Sequence, residues 1–359
     1  AWLHAQSNRI SMDVQVVDGH RLSIQQEITF YNRSEVPLDS IYLLNWANAY
    51  KDRKTPLAER LIEDYNRKFY FSKKSDRGYS KVNSLLCDGQ RVYFGEVEDK
   101  QDLIWIRLKE PLEPRASVNL EMNYEVKVPS DRFTQYGHDG VNYNLRYWYI
   151  TPAVFNGQWN LYSNLNMDDY FMEPTDYDIQ FDVPMGFTLH SNLRAQAEIL
   201  DNQVRYTMKE QNQLEVEVNI QYQNDFSTYQ LRELEVQTNL KSKNLTENLK
   251  GDVLQRQIDF IESYLGDFPY EKILVNRTTY LKNPVYGFNQ LPKSMNPFSD
   301  IFERDIKMFK AMSERFIDNT ILVNDRTEYW LPDGIQIYLM MEYVSRYYPE
   351  VKAIGSISK

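Results

Sequence analysis

The chain has few of the side chains that most often carry chemistry, cysteine and histidine. A single cysteine, Cys87, excludes an intrachain disulfide framework and any cysteine-based zinc site. No stretch of about 18 apolar residues occurs, so no helix is predicted to cross a membrane. None of the four histidines follows residue 190; they are His4, His20, His138 and His190. The rest of the chain therefore has no imidazole for metal binding or proton transfer.

Positive charge is also in deficit. The 359 residues include 41 Lys and Arg against 51 Asp and Glu, a formal charge of −10. A surface of this sign repels phosphate backbones, which argues against nucleic-acid binding. Hydrophobic residues at 42% and charged residues at 26% are typical of a globular protein, and the length predicts two or three domains. The 27 tyrosines are compatible with a protein-binding surface, where tyrosine is enriched.

The first part of the chain, residues 6–225, is predicted to be an antiparallel β domain. Hydrophobic alternation from residue 14 to 29 surrounds Asp18-Gly19, a two-residue hairpin signal. The same kind of signal recurs at Asp88-Gly89 and at Asp201-Asn202. Further strands are predicted at 103–108, 117–127, 178–183 and 213–222, with one helix at 55–66.

The second part, residues 226–359, changes to a helical period. Apolar side chains recur at helical spacing in 252–265 and 301–318, and a third helix is expected at 334–348. A short strand, 273–278, separates the first two helices. The pattern therefore predicts a β domain followed by a mainly helical domain.

Eight segments, read in chain order, carry a resemblance to a known family. They are the segments 23–34, 37–42, 48–50, 63–71, 148–155, 176–184, 266–272 (Gly-Asp-Phe-Pro-Tyr-Glu-Lys) and 330–335 (Trp-Leu-Pro-Asp-Gly-Ile). Together they resemble the aminopeptidase N-like zinc metallopeptidases, or gluzincins, and their bacterial branch in particular. The resemblance implies a saddle-like β domain followed by the N-terminal part of a thermolysin-like peptidase domain, incomplete at Lys359.

In that family the zinc site is a His-Glu-x-x-His helix with a third ligand at the start of the next helix. The resemblance puts Asp333 at the third ligand. Counting back by the family's spacing puts Lys310 and Glu314 at the two histidines and Ala311 at the general base. The resemblance therefore implies a degenerate site, and this member looks like a pseudopeptidase that holds no zinc and no other cofactor.

The family's substrate motif, Gly-x-Met-Glu-Asn, is altered as well. Its glutamate holds the free amino terminus of a peptide, and the matching segment here is Tyr286-Gly287-Phe288-Asn289-Gln290. Asn289 thus replaces the acid, and a neutral amide accepts a hydrogen bond from an ammonium but cannot neutralise it. Residues 286–290 remain a candidate peptide groove.

Two interpretations of the Lys310–Glu314 spacing stay open. At i and i+4 the two residues can form a solvated helix pair worth about 0.3 kcal/mol. Alternatively, the Lys310 ammonium replaces the metal cation between Glu314 and Asp333. Removing one partner from a buried ion triad of this kind costs about 3–5 kcal/mol.

The combined loss of ligands, base and amine-binding acid leads to the hypothesis of a non-catalytic binding or assembly subunit. The opening Ala1-Trp2-Leu3-His4-Ala5 has the pattern of the end of a secretory signal, although an arbitrary start gives the same letters. We therefore expect export to the periplasm or cell envelope, with a protein partner in a secretion or outer-membrane assembly. Two alternatives stay open: a receptor that binds peptides in the old substrate groove, and an active zinc aminopeptidase with an unusual site.

Overall fold

The chain divides into two compact units, Ala1–Asn224 and Asp225–Lys359. The computed structural model describes residues 7–167, 169–240, 247–285 and 298–351, with the backbone alone for 247–249. The boundary predicted from the sequence, between 225 and 226, lies one residue away from the observed one.

The described residues of the first unit form strands and one α-helix, with two short 3-10 turns at Trp46–Tyr50 and Lys74–Asp76. The helix, α1, is Pro56–Glu63. The strands are β1 Asn8–Val17, β2 Arg21–Tyr31, β3 Leu38–Leu44, β4 Tyr79–Cys87, β5 Gln90–Arg91, β6 Tyr93–Val97, β7 Lys100–Leu112, β8 Ser117–Lys127, β9 Gly137–His138, β10 Tyr143–Leu145, β11 Thr151–Pro152, β12 Thr175–Pro184, β13 Thr188–Ser191, β14 Ala195–Ile199, β15 Gln203–Gln213 and β16 Val218–Gln221.

These strands form three sheets. The largest has eight strands in the order β14-β15-β12-β1-β2-β8-β4-β5, and two four-stranded sheets have the orders β13-β16-β10-β9 and β11-β3-β7-β6. The prediction of an antiparallel domain is wrong at one place, because β1 pairs in parallel with β12 from Asn8–Thr175 to Gln15–Asp182. A hairpin signal specifies only the strand that follows directly, whereas a parallel neighbour returns through a long crossover.

The first hairpin has a longer loop than predicted. Strands β1 and β2 are separated by three residues, Asp18, Gly19 and His20, rather than by two. Gly19 and His20 both have positive φ, 74° and 57°, and the second value is uncommon for a residue with a Cβ atom. The loop at Asp88-Gly89 has the two residues predicted for it.

Alternating burial along the strands produces the core of the first unit. Successive side chains of a strand point to opposite faces, so one face can be apolar throughout. This core draws buried residues from all three sheets. In β8 the buried set is Val118, Leu120, Met122, Tyr124 and Val126.

A polar side chain, Gln26, occupies an inward position of this pattern on β2. It is 4% exposed, and its Nε2 donates to the carbonyl oxygen of Ile150 at 2.6 Å. Its Oε1 accepts a hydrogen bond from the Tyr124 hydroxyl, which in turn accepts from the Ile150 N–H at 3.2 Å. Because both ends of the amide have partners, the core holds this residue at little cost.

The β1–β2 loop packs against the edge strand β9 through two stacked imidazoles. The ring centroids of His20 and His138 are 3.6 Å apart with an interplanar angle of 8°, and the Tyr143 hydroxyl lies 2.9 Å from His20 Nδ1. Burial and the adjacent His20 lower the pKa of His138 to about 4, against the opposing effect of Asp139. Burial and the Lys127 ammonium also lower the pKa of His20.

The second unit combines a three-stranded sheet with helices. Its strands, in the order β17-β18-β19, are β17 Ser227–Leu231, β18 Leu234–Thr238 and β19 Lys272–Val275. Its helices are α2 Glu247–Leu265, α3 Arg277–Lys282, α4 Asp300–Thr320, α5 Asp325–Glu328 and α6 Trp330–Tyr347.

The three long helices of the second unit lie close to where the sequence pattern places them, although α2 begins at Glu247 instead of residue 252 and α5 was not predicted. The strand predicted at 273–278 ends at Val275, and α3 follows it. The third predicted helix begins at Trp330 instead of Gly334. The β17–β18 hairpin was not predicted, because strands of five residues show too little alternation to be distinguished from a loop.

Helix α4 packs against α2, α3, α6 and β19 and is central to the second unit. Its first turn is capped by the Ser299 hydroxyl, which accepts a hydrogen bond from the Phe302 N–H at 3.2 Å. The helix is buried on most of its circumference. Polar side chains on its buried sides need hydrogen-bond or ion-pair partners within the protein. Its buried polar residues are Asp305, Lys310, Ser313 and Arg315.

We expect Gln26→Leu to lower the free energy of unfolding by about 1–3 kcal/mol, because the Ile150 carbonyl and the Tyr124 hydroxyl lose a buried partner. Urea unfolding measures the change. Gln25→Leu is the matched control, since Gln25 is the same side chain at the next position and is exposed. It should change the free energy by less than about 0.5 kcal/mol. Equal losses of unfolding free energy in the two variants would contradict the placement of Gln26 on the buried face of β2 and Gln25 on the exposed face.

The stacked histidines should weaken the fold in acid. Because the pKa of His138 falls from 6.5 to about 4 on folding, the unfolded chain binds more protons between these values. Stability is therefore lost as the pH falls through this window. We expect His138→Phe to lose less stability than the natural chain over the same window, measured by urea unfolding. Tyr143→Phe is the control: it keeps both imidazoles and should lose as much stability in acid as the natural chain. If His138→Phe and the natural chain lose the same stability over this window, His138 is not the group responsible.

Candidate functional site

The site predicted from the sequence lies on one side of helix α4. Lys310 and Glu314 are one turn apart, and Lys310 Nζ is 3.5 Å from Glu314 Oε2. Their side chains are only 9% and 15% exposed, and Ala311 beside them is buried. The pair is therefore a largely buried ion pair and not a solvated surface pair.

Helix α6 approaches this part of α4 through a glutamine. Gln336 Nε2 donates to the backbone carbonyl of Lys310 at 3.1 Å and to the Ser313 hydroxyl oxygen at 2.5 Å. The Ser313 hydroxyl donates in turn to the same Lys310 carbonyl at 3.1 Å. The two hydrogen bonds from Gln336 hold the α4 backbone at Lys310 against α6, and the Ser313 contact lies within α4. No sequence signal pointed to Gln336.

The proposed ion triad is wrong in its third member. Asp333 is exposed in the first turn of α6 and forms no ion pair with Lys310; the structure describes both residues. The side chain of α6 that reaches α4 at Lys310 is Gln336, three residues after Asp333, and Asp333 itself faces solvent. A carboxylate in the first turn of a helix is stabilised there by the helix dipole without any cation.

A second polar cluster, which sequence reasoning missed, surrounds Asp305. This residue is 3% exposed, and its carboxylate accepts hydrogen bonds from Arg256 at 2.5 Å and from Gln257 at 2.6 Å. The hydroxyls of Tyr343 and Tyr348 donate to it at 3.0 Å and 2.5 Å. Asp305 directly precedes Ile306, one of the apolar residues whose spacing predicts α4. Its partners lie on α2, on α6 and just after α6. They are distant in the sequence, which therefore contains no local signal for this cluster.

The two tyrosines of the Asp305 cluster are held in their protonated form. Burial, with Asp305 beside each hydroxyl, raises the pKa of Tyr343 and of Tyr348 well above the ordinary value. Both hydroxyls therefore act as donors to the carboxylate at neutral pH. The cluster joins α2, α4, α6 and the residue after α6 in one hydrogen-bonded network.

The remaining predicted site residues cannot be placed. The candidate groove Tyr286-Gly287-Phe288-Asn289-Gln290, including the replaced acid Asn289, lies outside the described residues. Within 7–167, 169–240, 247–285 and 298–351, no three His, Cys, Asp or Glu side chains form a group that could hold a metal ion.

Comparison with known proteins identifies the fold. No protein-family model matches the chain, and no curated protein matches it. Among solved structures, an M1 zinc metallopeptidase from Deinococcus radiodurans matches with a TM-score of 0.59 and 11% identity, over 95% of this chain and 70% of that one.

Two further crystal structures of M1 zinc metallopeptidases agree with that match. A two-domain enzyme, a mutant bound to L-arginine, has a TM-score of 0.58 and 12% identity, over 96% of this chain and 71% of its own. A mutant from Deinococcus radiodurans bound to a Tyr-Ser-Ala substrate has the same TM-score and identity, over 96% and 72%. The aminopeptidase-like fold predicted from the sequence segments is confirmed at this level, most clearly for the β domain.

The Lys310–Glu314 pair should contribute measurably to stability. We expect Lys310→Met to lower the free energy of unfolding by about 3 kcal/mol, because it removes the ammonium that lies 3.5 Å from the largely buried Glu314 carboxylate. Adding Glu314→Leu should recover most of the loss, since a buried pair replaced by apolar residues is close to neutral.

Arg60→Met is the matched control for this measurement by urea unfolding. Arg60 pairs with Asp64 at the same i, i+4 spacing on helix α1, where the two side chains are 34% and 42% exposed. An exposed pair contributes less than about 1 kcal/mol. A loss for Lys310→Met no larger than that for Arg60→Met would show that the pair is solvated.

Proposed function

We propose that this chain is a non-catalytic member of the aminopeptidase-like fold that acts as a binding or assembly subunit in an exported or cell-envelope complex. The observation that carries the proposal is the Lys310–Glu314 pair, 3.5 Å apart on the helix that resembles the family's zinc helix. An ammonium and a carboxylate neutralise each other there, and Ala311 has no group that can take a proton from water.

The residues on this face do not fit zinc. A protein zinc site uses three or four nitrogen, sulfur or carboxylate ligands, and a protonated lysine is not a ligand. Glu314 is the one carboxylate of the pair, Asp333 points to solvent, and the chain has no histidine after residue 190. We therefore propose that this face of α4 carries out no hydrolysis and that the chain works without a metal.

The surface of helix α6 supports a protein partner. Four large apolar side chains lie on one exposed side of this helix: Trp330, Ile337, Tyr338 and Met341. Exposed apolar groups gathered on one face are typical of a protein-binding surface. No helix among the described residues is long and apolar enough to cross a membrane. We propose export from the sequence pattern at residues 1–7, of which 1–6 lie outside the described part of the chain.

The test of the catalytic half of this proposal is zinc analysis together with an aminoacyl-amide hydrolysis assay. We expect well under one zinc per chain and no turnover, because the ligands are replaced. The comparison variant restores the family pattern with Lys310→His, Ala311→Glu and Glu314→His, and it should bind more zinc than the natural chain. One zinc per natural chain with turnover would overturn the proposal in favour of an active aminopeptidase.

A further inference from the structure

A cavity of about 730 Å³ lies within the second unit, lined by helices α2 and α4 and the β17–β18 hairpin. Much of its wall is apolar and is formed by Leu240, Leu254, Ile301 and Met308. This volume is in the range of sites that enclose small organic molecules, roughly 300–1,000 Å³. No function is assigned to this cavity by the resemblance or by the Lys310–Glu314 pair.

The Lys310–Glu314 pair does not line this cavity. Helix α4 contributes wall residues only from its first half, between Ile301 and Met308. Glu314 follows Met308 by six residues, which is about 9 Å along the helix axis. The pair and the cavity are therefore separate features of α4.

Two charged side chains of the wall, Asp305 and Arg304, differ in how many hydrogen-bond partners the protein gives them. The Asp305 carboxylate is fully used by Arg256, Gln257 and two tyrosines. Arg304, in contrast, has only a weak partner: its Nη2 is 3.6 Å from Asp300, whose side chain is 75% exposed. Its Nη1 is buried and has no hydrogen-bond acceptor among the described residues. A buried guanidinium N–H without an acceptor is costly, and a carboxylate is the acceptor that fits its fork.

We propose that this cavity binds a small molecule with an apolar body and one carboxylate. The apolar body lies against Leu254, Ile301 and Met308, where its burial provides most of the affinity. The carboxylate lies at Arg304, whose guanidinium turns toward it and gains the acceptor that it lacks. Fatty acids and the C-terminal residues of apolar peptides both present this chemistry.

The experiment titrates the purified chain with decanoate and with decanol, which has the same apolar chain and no charge, by isothermal calorimetry. We expect decanoate to bind more tightly than decanol. Arg304→Met and Arg304→Gln should weaken decanoate binding about tenfold, as expected for one charge-assisted contact, and leave decanol binding nearly unchanged. Met308→Trp, which fills the cavity, should abolish both.

Arg346→Met is the control, because Arg346 is exposed on α6 and does not line the cavity. A second arm uses an acetylated tripeptide that ends in leucine, as the free acid and as the amide, and distinguishes a peptide source from a lipid source. Preference for either acid over its neutral partner, reduced in the two Arg304 variants, supports the proposal, and equal binding of each acid and its neutral partner contradicts it. Failure of both acids to bind, or undiminished decanoate binding by the two Arg304 variants, would overturn it.

Discussion

The burial of helix α4 on most of its circumference is the constraint on which the second unit depends. A helix in this position cannot leave polar side chains to water, so each of them needs a partner from a neighbouring element. Asp305 finds four donors on one side, and Lys310 finds Glu314 on the other. The packing of α2, α4 and α6 therefore also fixes the polar groups of the candidate site.

The chain shares its overall fold with M1 zinc metallopeptidases. The resemblance in sequence, and not the structural match, aligns part of α4 with the family's zinc-binding segment. Lysine, alanine and glutamate at positions 310, 311 and 314 make an ion pair beside a methyl group. The pair lies within one helix, and breaking it would leave a charge in a poorly solvated place. The proposed binding role rests on this reading, in which positions 310, 311 and 314 contribute to the stability of α4 and not to catalysis.

The first unit shows how a polar residue enters a core without weakening it. Gln26 stands at an inward position between apolar neighbours, and its amide is satisfied by Tyr124 and the Ile150 backbone. The stacked pair of His20 and His138 also has hydrogen-bond partners, from the Tyr143 hydroxyl and the Gly140 N–H. Partial burial nevertheless lowers the pKa of both rings, so this contact is sensitive to acid whereas the Gln26 amide is not.

The sequence by itself determined the features that depend on near neighbours. Alternation and turn residues specified most strands and hairpins, and helical spacing specified α2, α4 and α6, because these patterns act within a few residues. It also showed that histidine is absent after residue 190. Only the tertiary structure decided the parallel pairing of β1 with β12, the exposure of Asp333, the contact of Gln336 with Lys310 and the cluster around Asp305. Each of these joins or separates elements that are distant in the chain, and their relative positions follow from packing and not from local spacing.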